Sequence, residues 1–332
     1  MITGRLFMIL ITGSNSLLGK ALVDKFVKSG EKVRCYDQYK PEKEYEGVEF
    51  IQGDLFTAKR LNLACKGVDT IIHLMDKSRA QKVGRKKMKK INISGTENLL
   101  NIAKKSRIPR FIFLSTYAVY GKTQSFPLKE EDRKKPYTAY GKDKLKAESL
   151  CETFAKKNNI NLTIMRPSVI AGPQVKNSAI LITLYMAMGL GNDNVMYTSG
   201  DGDTHFQLLS PEDAAEAFYK VYKAGPKTHG CIFNIGSDNV PTQMEQIIKI
   251  KEKKKLDFSV KHISKFKAIF YSILFKPSKV NYFTREHFIF IFYSIYLDCQ
   301  KLKTATGWSP KKNNIDIMSE IVDWYKGKVQ KA

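Results

Sequence analysis

An α/β fold, built on a doubly wound parallel sheet with a smaller, mainly C-terminal region added, is what this 332-residue sequence predicts. Three observations lead there. Apolar runs of strand length alternate with helical patterns from the N-terminus to beyond Pro167. The first run, LFMILIT, ends in a glycine-bounded turn, TGSNSLLG, which opens a helix. The second run, KVRCYD, ends in an acid.

The first helical pattern, LLGKALVDKFVKSG, stops at Gly30, as helices tend to. A strand, turn, helix and strand in this order form a Rossmann-type unit, which sets the bare N–H groups of the first helix at the strand's carboxyl edge, ready for a pyrophosphate. Gly13, Ser16 and Gly19 occupy the three glycine positions. Gly13 permits the tight turn and Gly19 close helix packing, while Ser16 narrows the approach to phosphate and offers a hydroxyl in return. Asp37, at the end of the second strand, suits the two ribose hydroxyls of adenosine. Its charge would repel a 2′-phosphate and Gln38 follows it instead of Arg, so NAD is favoured over NADP. The alternation continues through VEFIQGDL, a helix from Lys59 to Cys65, VDTIIHL, a long helix carrying INISGTENLLNIA, RFIFLST, a helix holding Tyr140 and Lys144, and LTIMRPSVIAGP.

Composition narrows the class. With 43% hydrophobic and 27% charged residues the chain is ordinary globular material. Its five cysteines, Cys35, Cys65, Cys151, Cys231 and Cys299, are widely spaced and show neither disulfide nor zinc spacing, so reduced thiols in a cytoplasmic protein are expected and no metal site is. LFMILI is too short to span a membrane. The formal charge of +24 has two readings, a lysine-rich solvated surface or attraction to anionic partners. Its densest cluster, Lys82 to Lys90, lacks interleaved aromatics, which disfavours nucleic acid as a partner.

The stretch YTAYGKDKLKA carries the chemistry. Tyr140 and Lys144 stand four apart and share a helix face. A phenol with a pKa of about 10 is a poor base at neutral pH, and a nearby ammonium favours the phenolate. Tyr140 can then move a proton while a cofactor moves a hydride.

Taken in order, TGSNSLLG, Asp37, GDL from Gly53 to Leu55, VDTIIHL, NISGTENLL, FIFLSTYAVYG, PYTAYGKDK and MRPSVIAGP resemble the extended short-chain dehydrogenase/reductase family, the NAD-dependent epimerase/dehydratase group. GDGDTHFQLLSPEDAAEAF, CIFNIG, LKTATGWSP and DIMSEIVDWYKG extend the resemblance over nearly the whole chain. It implies that residues 1–175, completed by about 209–240, form an NAD-binding Rossmann domain, and that 176–208 and 241–332 shape a substrate-binding region. It implies Tyr140 as acid/base, Thr116 as hydrogen-bond donor to the reacting oxygen, and Lys144 as partner of the nicotinamide ribose that depresses the Tyr140 pKa. The implied cofactor-binding set is Gly13, Ser16, Leu17, Leu18, Gly19, Asp37, Asp54, Leu55, Leu74 and Lys144, with Asp54 meeting the adenine. Asn92, Thr116 and His205 are the implied substrate contacts. For Asn92 a buried amide bonded to backbone is the other reading.

Three departures from the family pattern bear on function. Met75 and Asp76 follow the fourth strand where small residues are usual. Tyr117 and Ala118 stand after Thr116 where dehydratases carry acids. Phe206, between His205 and Gln207, replaces the Arg that clamps a diphosphate in many nucleotide-sugar enzymes of the family. Three functions remain open. The leading one is an NAD-dependent nucleotide-sugar epimerase of the UDP-glucose 4-epimerase type, working as a homodimer. An NAD-dependent hydroxysteroid or lipid alcohol dehydrogenase is the second, favoured by Phe206 and by the aromatic-basic stretch 258–297. A non-catalytic NAD-binding scaffold is the third, and an intact Tyr140 and Lys144 argue against it. The stretch 258–297 itself reads as a packed helix pair, an apolar substrate channel or a face for peripheral membrane contact.

Overall fold

A computed structural model of the chain describes residues 7–77, 83–122, 126–174, 195–264, 266–267 and 293–329. Seven parallel strands form the central sheet: β1 (Met8–Thr12), β2 (Lys32–Asp37), β3 (Glu49–Gln52), β4 (Thr70–His73), β5 (Arg110–Leu114), β6 (Asn161–Pro167) and β10 (Ile232–Ile235). Their order is β10-β6-β5-β4-β1-β2-β3. The order reverses at β1, which pairs with β2 on one side and β4 on the other. Crevices that bind ligands open at the carboxyl ends of strands at such a reversal.

Alternating side chains of each strand supply two cores. Ile9, Ile11, Ile72 and Ile112 point to one face, where α1 (Leu17–Lys28) and α6 (Pro211–Ala224) cover them with Leu22, Phe26, Phe218 and Val221. Leu10, Ile71, Phe111 and Phe113 point to the other, against α2 (Ala58–Cys65), α4 (Thr96–Lys105) and α5 (Ala139–Asn158). Burial on both faces explains why these strands read as continuous apolar runs. Full burial of side chains such as Leu22 or Phe26 stabilises the fold by roughly 1.5–3 kcal/mol each.

A third, smaller core gathers Met196 of β8 (Val195–Ser199), Leu208 of β9 (Leu208–Leu209), Ile247 and Ile250 of α7 (Gln243–Lys254), Phe258, and Ile317 and Ile321 of α9 (Asn314–Val329). Near it β7 (Val169–Ile170) pairs with β9, and β8 with β11 (Ser259–Ile263). The helix α8 (Gln300–Thr306) closes onto the first core through Leu302.

One buried network fixes α5 against the sheet. The Arg166 guanidinium, 1% exposed, grips the Glu148 carboxylate with two bonds of 2.9 and 2.7 Å and also donates to Tyr120 Oη and to the Glu130 carbonyl. Tyr120 Oη donates onward to Asn234 Oδ1 at 2.7 Å. Removing charge partners from water is repaid only when the geometry is good and further hydrogen bonds are made, and here each of the three guanidinium nitrogens has a partner.

The long helix expected around INISGTENLLNIA is interrupted. It runs as α3 (Arg85–Lys89), a π-helical turn (Lys90–Gly95) and α4. Of the stretch 258–297, only 258–264, 266–267 and 293–297 are described; the helix pair expected between them lies outside the described residues. All five cysteines are free thiols, four of them buried. Among the described residues no helix is long and apolar enough to cross a membrane, and no cluster of His, Cys, Asp or Glu could hold a metal ion.

Candidate active site

The glycine turn after β1 is a tight cradle. Gly13 has φ of +75°, and a Cβ there would lie 2.8 Å from the Met75 nitrogen. A Cβ on Gly19 would lie 2.3 Å from the Gly13 carbonyl oxygen, so strand end and helix start touch as only glycines allow. Ser16 caps α1: its Oγ accepts from the Gly19 N–H at 3.0 Å and donates to the Gly13 carbonyl at 2.8 Å. The hydroxyl anticipated at the phosphate position therefore holds the loop itself. Leu17 and Leu18 are the first residues of α1, where backbone N–H groups lie at the positive end of the helix, and Leu18 also packs into the core.

Asp37 leans over this turn from the end of β2. Its Oδ2 accepts from the Asn15 N–H at 3.0 Å, and a carboxylate has further lone pairs for ribose hydroxyls. Asp54 Oδ1 receives the Phe56 N–H, the Thr57 N–H and the Thr57 hydroxyl, at 2.9, 2.8 and 2.8 Å. Those bonds hold its carboxyl below the usual carboxylate range against the opposing effect of burial. Leu55 and Leu74 are both buried, in the second and first cores respectively.

Thr116, Tyr140 and Lys144 all lie by the carboxyl end of β5. Thr116 Oγ1 accepts from the Ala118 N–H at 3.2 Å and so caps the short 3-10 turn Tyr117–Val119. Its hydroxyl hydrogen is left to donate elsewhere. Against that turn sits the first turn of α5: a Cβ on Gly141 would lie 2.4 Å from the Ala118 carbonyl oxygen. Glycine there lets Tyr140 reach the strand end. Lys144, one turn on and 2% exposed, donates to the Leu114 carbonyl and lies 4.4 Å from the Phe113 ring centre.

Asp76 joins them from the end of β4. Tyr140 Oη donates to Asp76 Oδ2 at 2.6 Å, and Lys144 Nζ lies 3.3 Å from the same oxygen. Burial of the phenol end, then the charge of Asp76 and the hydrogen bond it accepts, push the Tyr140 pKa well above 10.0. This differs from the sequence expectation that Lys144 depresses it. The reason is local, because Lys144 faces the Asp76 carboxylate and its charge is largely answered there.

Asn92 takes the backbone-bonded alternative. Its Oδ1 accepts from the Lys77 N–H and its Nδ2 donates to the Lys77 carbonyl, both at 2.8 Å, so it braces the segment that carries Asp76. Asn92 stands in the π-helical turn, a deformation frequent at functional sites. His205 is part-buried, its Nδ1 2.9 Å from the Val240 carbonyl and its ring 5.2 Å from that of Tyr296. Phe206 packs against the third core. Two residues escaped the sequence reading: Asp143, 3% exposed beside Lys144, and Arg85, whose guanidinium binds it from α3. The signal was an acid three residues after Tyr140 on a helix whose neighbours there must be buried.

A parallel sheet reversing at β1, with a glycine cradle there and an acid at the end of β2, defines a dinucleotide-binding protein. The chain belongs to the NAD dependent epimerase/dehydratase family, whose model matches residues 9–236. It is thus an enzyme of a group whose cofactor is NAD. It is 32% identical to a UDP-glucose 4-epimerase of Vibrio cholerae over 186 residues, 53% of this chain and 56% of that protein. An uncharacterized protein of Sinorhizobium fredii is 22% identical over 96% of this chain and 78% of its own length. Among solved structures, the UDP-glucose 4-epimerase of Thermotoga maritima, determined with UDP-glucose, superposes with a TM-score of 0.77 at 22% identity, covering 97% of this chain and all (100%) of that one. A dTDP-glucose 4,6-dehydratase of Streptomyces venezuelae, determined with NAD bound, gives 0.78 at 20% identity, with 98% of each chain covered. At these identities the superpositions speak for the fold. The cradle of Gly13 and Gly19 and the placement of Asp37 fit NAD.

Proposed function

We propose that this enzyme is a nucleotide-sugar epimerase that acts by transient hydride transfer through a keto intermediate. The observation that carries the reading is that Thr116, Tyr140 and Lys144 all lie by the carboxyl end of β5. Gly13, the first turn of α1 and Asp37 would hold the pyrophosphate and adenosine ribose of NAD, and Lys144 its nicotinamide ribose. Bound there, NAD supplies a hydride acceptor that can give the hydride back. Tyr140 takes the proton of the sugar hydroxyl being oxidised and returns it, and Thr116 donates a hydrogen bond to the same oxygen as it becomes a carbonyl. Epimerisation needs no further acid, in keeping with Tyr117 and Ala118 after Thr116.

Residues 1–175 with 209–240 would bind the cofactor, and 176–208 with 241–332 the sugar nucleotide. The enzyme would be a cytoplasmic homodimer joined through the helical segments around Asn92 and Tyr140, which sedimentation would show as twice the chain mass.

Mass spectrometry of what leaves the purified protein on denaturation, with thermal-shift titrations of NAD, NADP, UDP and UDP-hexoses, tests the proposal. A ligand of the native state must raise its stability. NAD among the released molecules, and added stabilisation by UDP or UDP-hexoses, are expected. NAD binding with no response to any nucleotide diphosphate would turn the search to lipid alcohols and end the sugar-nucleotide reading.

A further inference from the structure

The Asp76 carboxylate stands within reach of both the Tyr140 hydroxyl and the Lys144 ammonium. The Tyr140 hydroxyl hydrogen already points at Asp76, and Lys144 holds the same carboxylate oxygen. The segment carrying Asp76 is fixed on both sides: the Leu74 N–H bonds the Thr12 carbonyl at 3.1 Å, and Asn92 brackets the Lys77 backbone. A phenol in this position is not a standing base at neutral pH, because burial and the neighbouring negative charge both disfavour the phenolate. It can accept a proton only by giving one up in the same event.

We propose that Asp76 is the proton terminus of this site, and that Tyr140 relays a proton between a substrate hydroxyl and the Asp76 carboxylate while Lys144 keeps that carboxylate in place. The inference rests on Tyr140 being the acid/base, as set out above. In the oxidising step the substrate O–H breaks as its proton bonds to Tyr140 Oη. The original Tyr140 O–H breaks as that proton bonds to Asp76 Oδ2, and the electron pair of the substrate C–H bond leaves with its hydrogen as hydride to NAD. Reversal of the hydride restores every bond. Other titratable groups near the Tyr140–Lys144 pair are Tyr117 on the turn after β5, which acts on Tyr140, His73 on β4, held neutral by burial with a pKa lowered to about 3, and Asp143, next to Lys144 in α5 and paired with Arg85 of α3; Lys77 follows Asp76 on its own segment. Asp76 acts through Tyr140, so it is a positioning residue with a readable effect on proton transfer.

The test compares wild type, Asp76→Asn, Asp76→Glu and Tyr140→Phe. Ring-labelled ¹³C-tyrosine NMR, with Tyr140 assigned by its loss in Tyr140→Phe, follows the phenol through a pH titration in the folded proteins. Tyr140 should remain a phenol past about pH 10 in wild type and titrate at lower pH in Asp76→Asn, where Lys144 is left to act alone. With UDP-glucose as substrate, Asp76→Asn should lower kcat at neutral pH by about 10²-fold with little change in KM, and recover as pH rises. Asp76→Glu should retain part of the rate. A Tyr140 that titrates identically with and without the Asp76 charge, or an Asp76→Asn kcat equal to or above wild type, overturns the relay. Turnover that survives Tyr140→Phe overturns the underlying assignment instead, so the two failures are distinct.

Discussion

Tyr140, at the start of α5, donates a 2.6 Å hydrogen bond to Asp76, which lies 64 residues earlier at the end of β4. The contact ties two adjacent strand ends of the sheet, β4 and β5, through the helix that follows β5. Removing the phenol oxygen should leave the cradle around Gly13 untouched. Tyr140→Phe is therefore expected to lower turnover by at least about 10²-fold while NAD affinity stays nearly unchanged. Calorimetric titration with NAD alongside an activity assay checks both; loss of NAD binding in a folded variant would mean the site lies elsewhere.

Gly13 should not tolerate a side chain. An alanine there would hold φ of +75° and press its Cβ to 2.8 Å from the Met75 nitrogen. We expect Gly13→Ala to cost about 1–3 kcal/mol of stability and to weaken NAD binding, because the strand end and the Met75 segment must part. Urea unfolding and a thermal-shift series with NAD measure the two effects.

The Arg166–Glu148 pair is enclosed, with side chains 1% and 2% exposed. Arg166→Met leaves the Glu148 carboxylate buried without its main partner and should cost about 3–5 kcal/mol. Changing Glu148 to Leu as well should recover part of that loss. A double variant as unstable as the sum of the two single ones would deny the pairing its role.

His73 couples stability to pH. It is fully enclosed between the hydroxyls of Thr12 and Thr96, 2.7 and 3.1 Å away, and burial followed by the Lys144 charge lowers its pKa from 6.5 to about 3. The unfolded chain therefore binds a proton at this residue between those values while the folded chain does not. The stabilisation is complete above 6.5 and drains away as pH falls toward 3. Unfolding free energies measured from neutral pH downward should fall more steeply for wild type than for His73→Gln.

Much of this architecture is legible in the chain because two-sided burial writes parallel strands as apolar runs and glycines mark where backbones touch. Leu10 and Ile11 enter opposite cores yet look alike in sequence, and that sameness is itself the signal. Tyr140 and Lys144 stand out in the sequence by type and spacing, and Thr116 only through the family resemblance. What Asp76 does was not, because its partner lies on another element and only the fold sets carboxylate against phenol. The same holds for Asn92, whose amide suits a substrate or a backbone equally until the π-helical turn directs it at Lys77. The Arg85–Asp143 pair was hidden in a run of charges that reads as solvated surface, although Asp143 is enclosed.

An epimerase borrows a hydride and returns it, with no net redox change. Incubating the purified enzyme with UDP-glucose and following both sugar nucleotides by NMR, alongside NADH absorbance, tests for this cycle directly. Approach to one mixture of UDP-glucose and UDP-galactose from either side, without NADH accumulating, is the predicted result. Stoichiometric NADH with an oxidised product, or no change in a protein shown to hold NAD and to bind UDP-glucose, would contradict it.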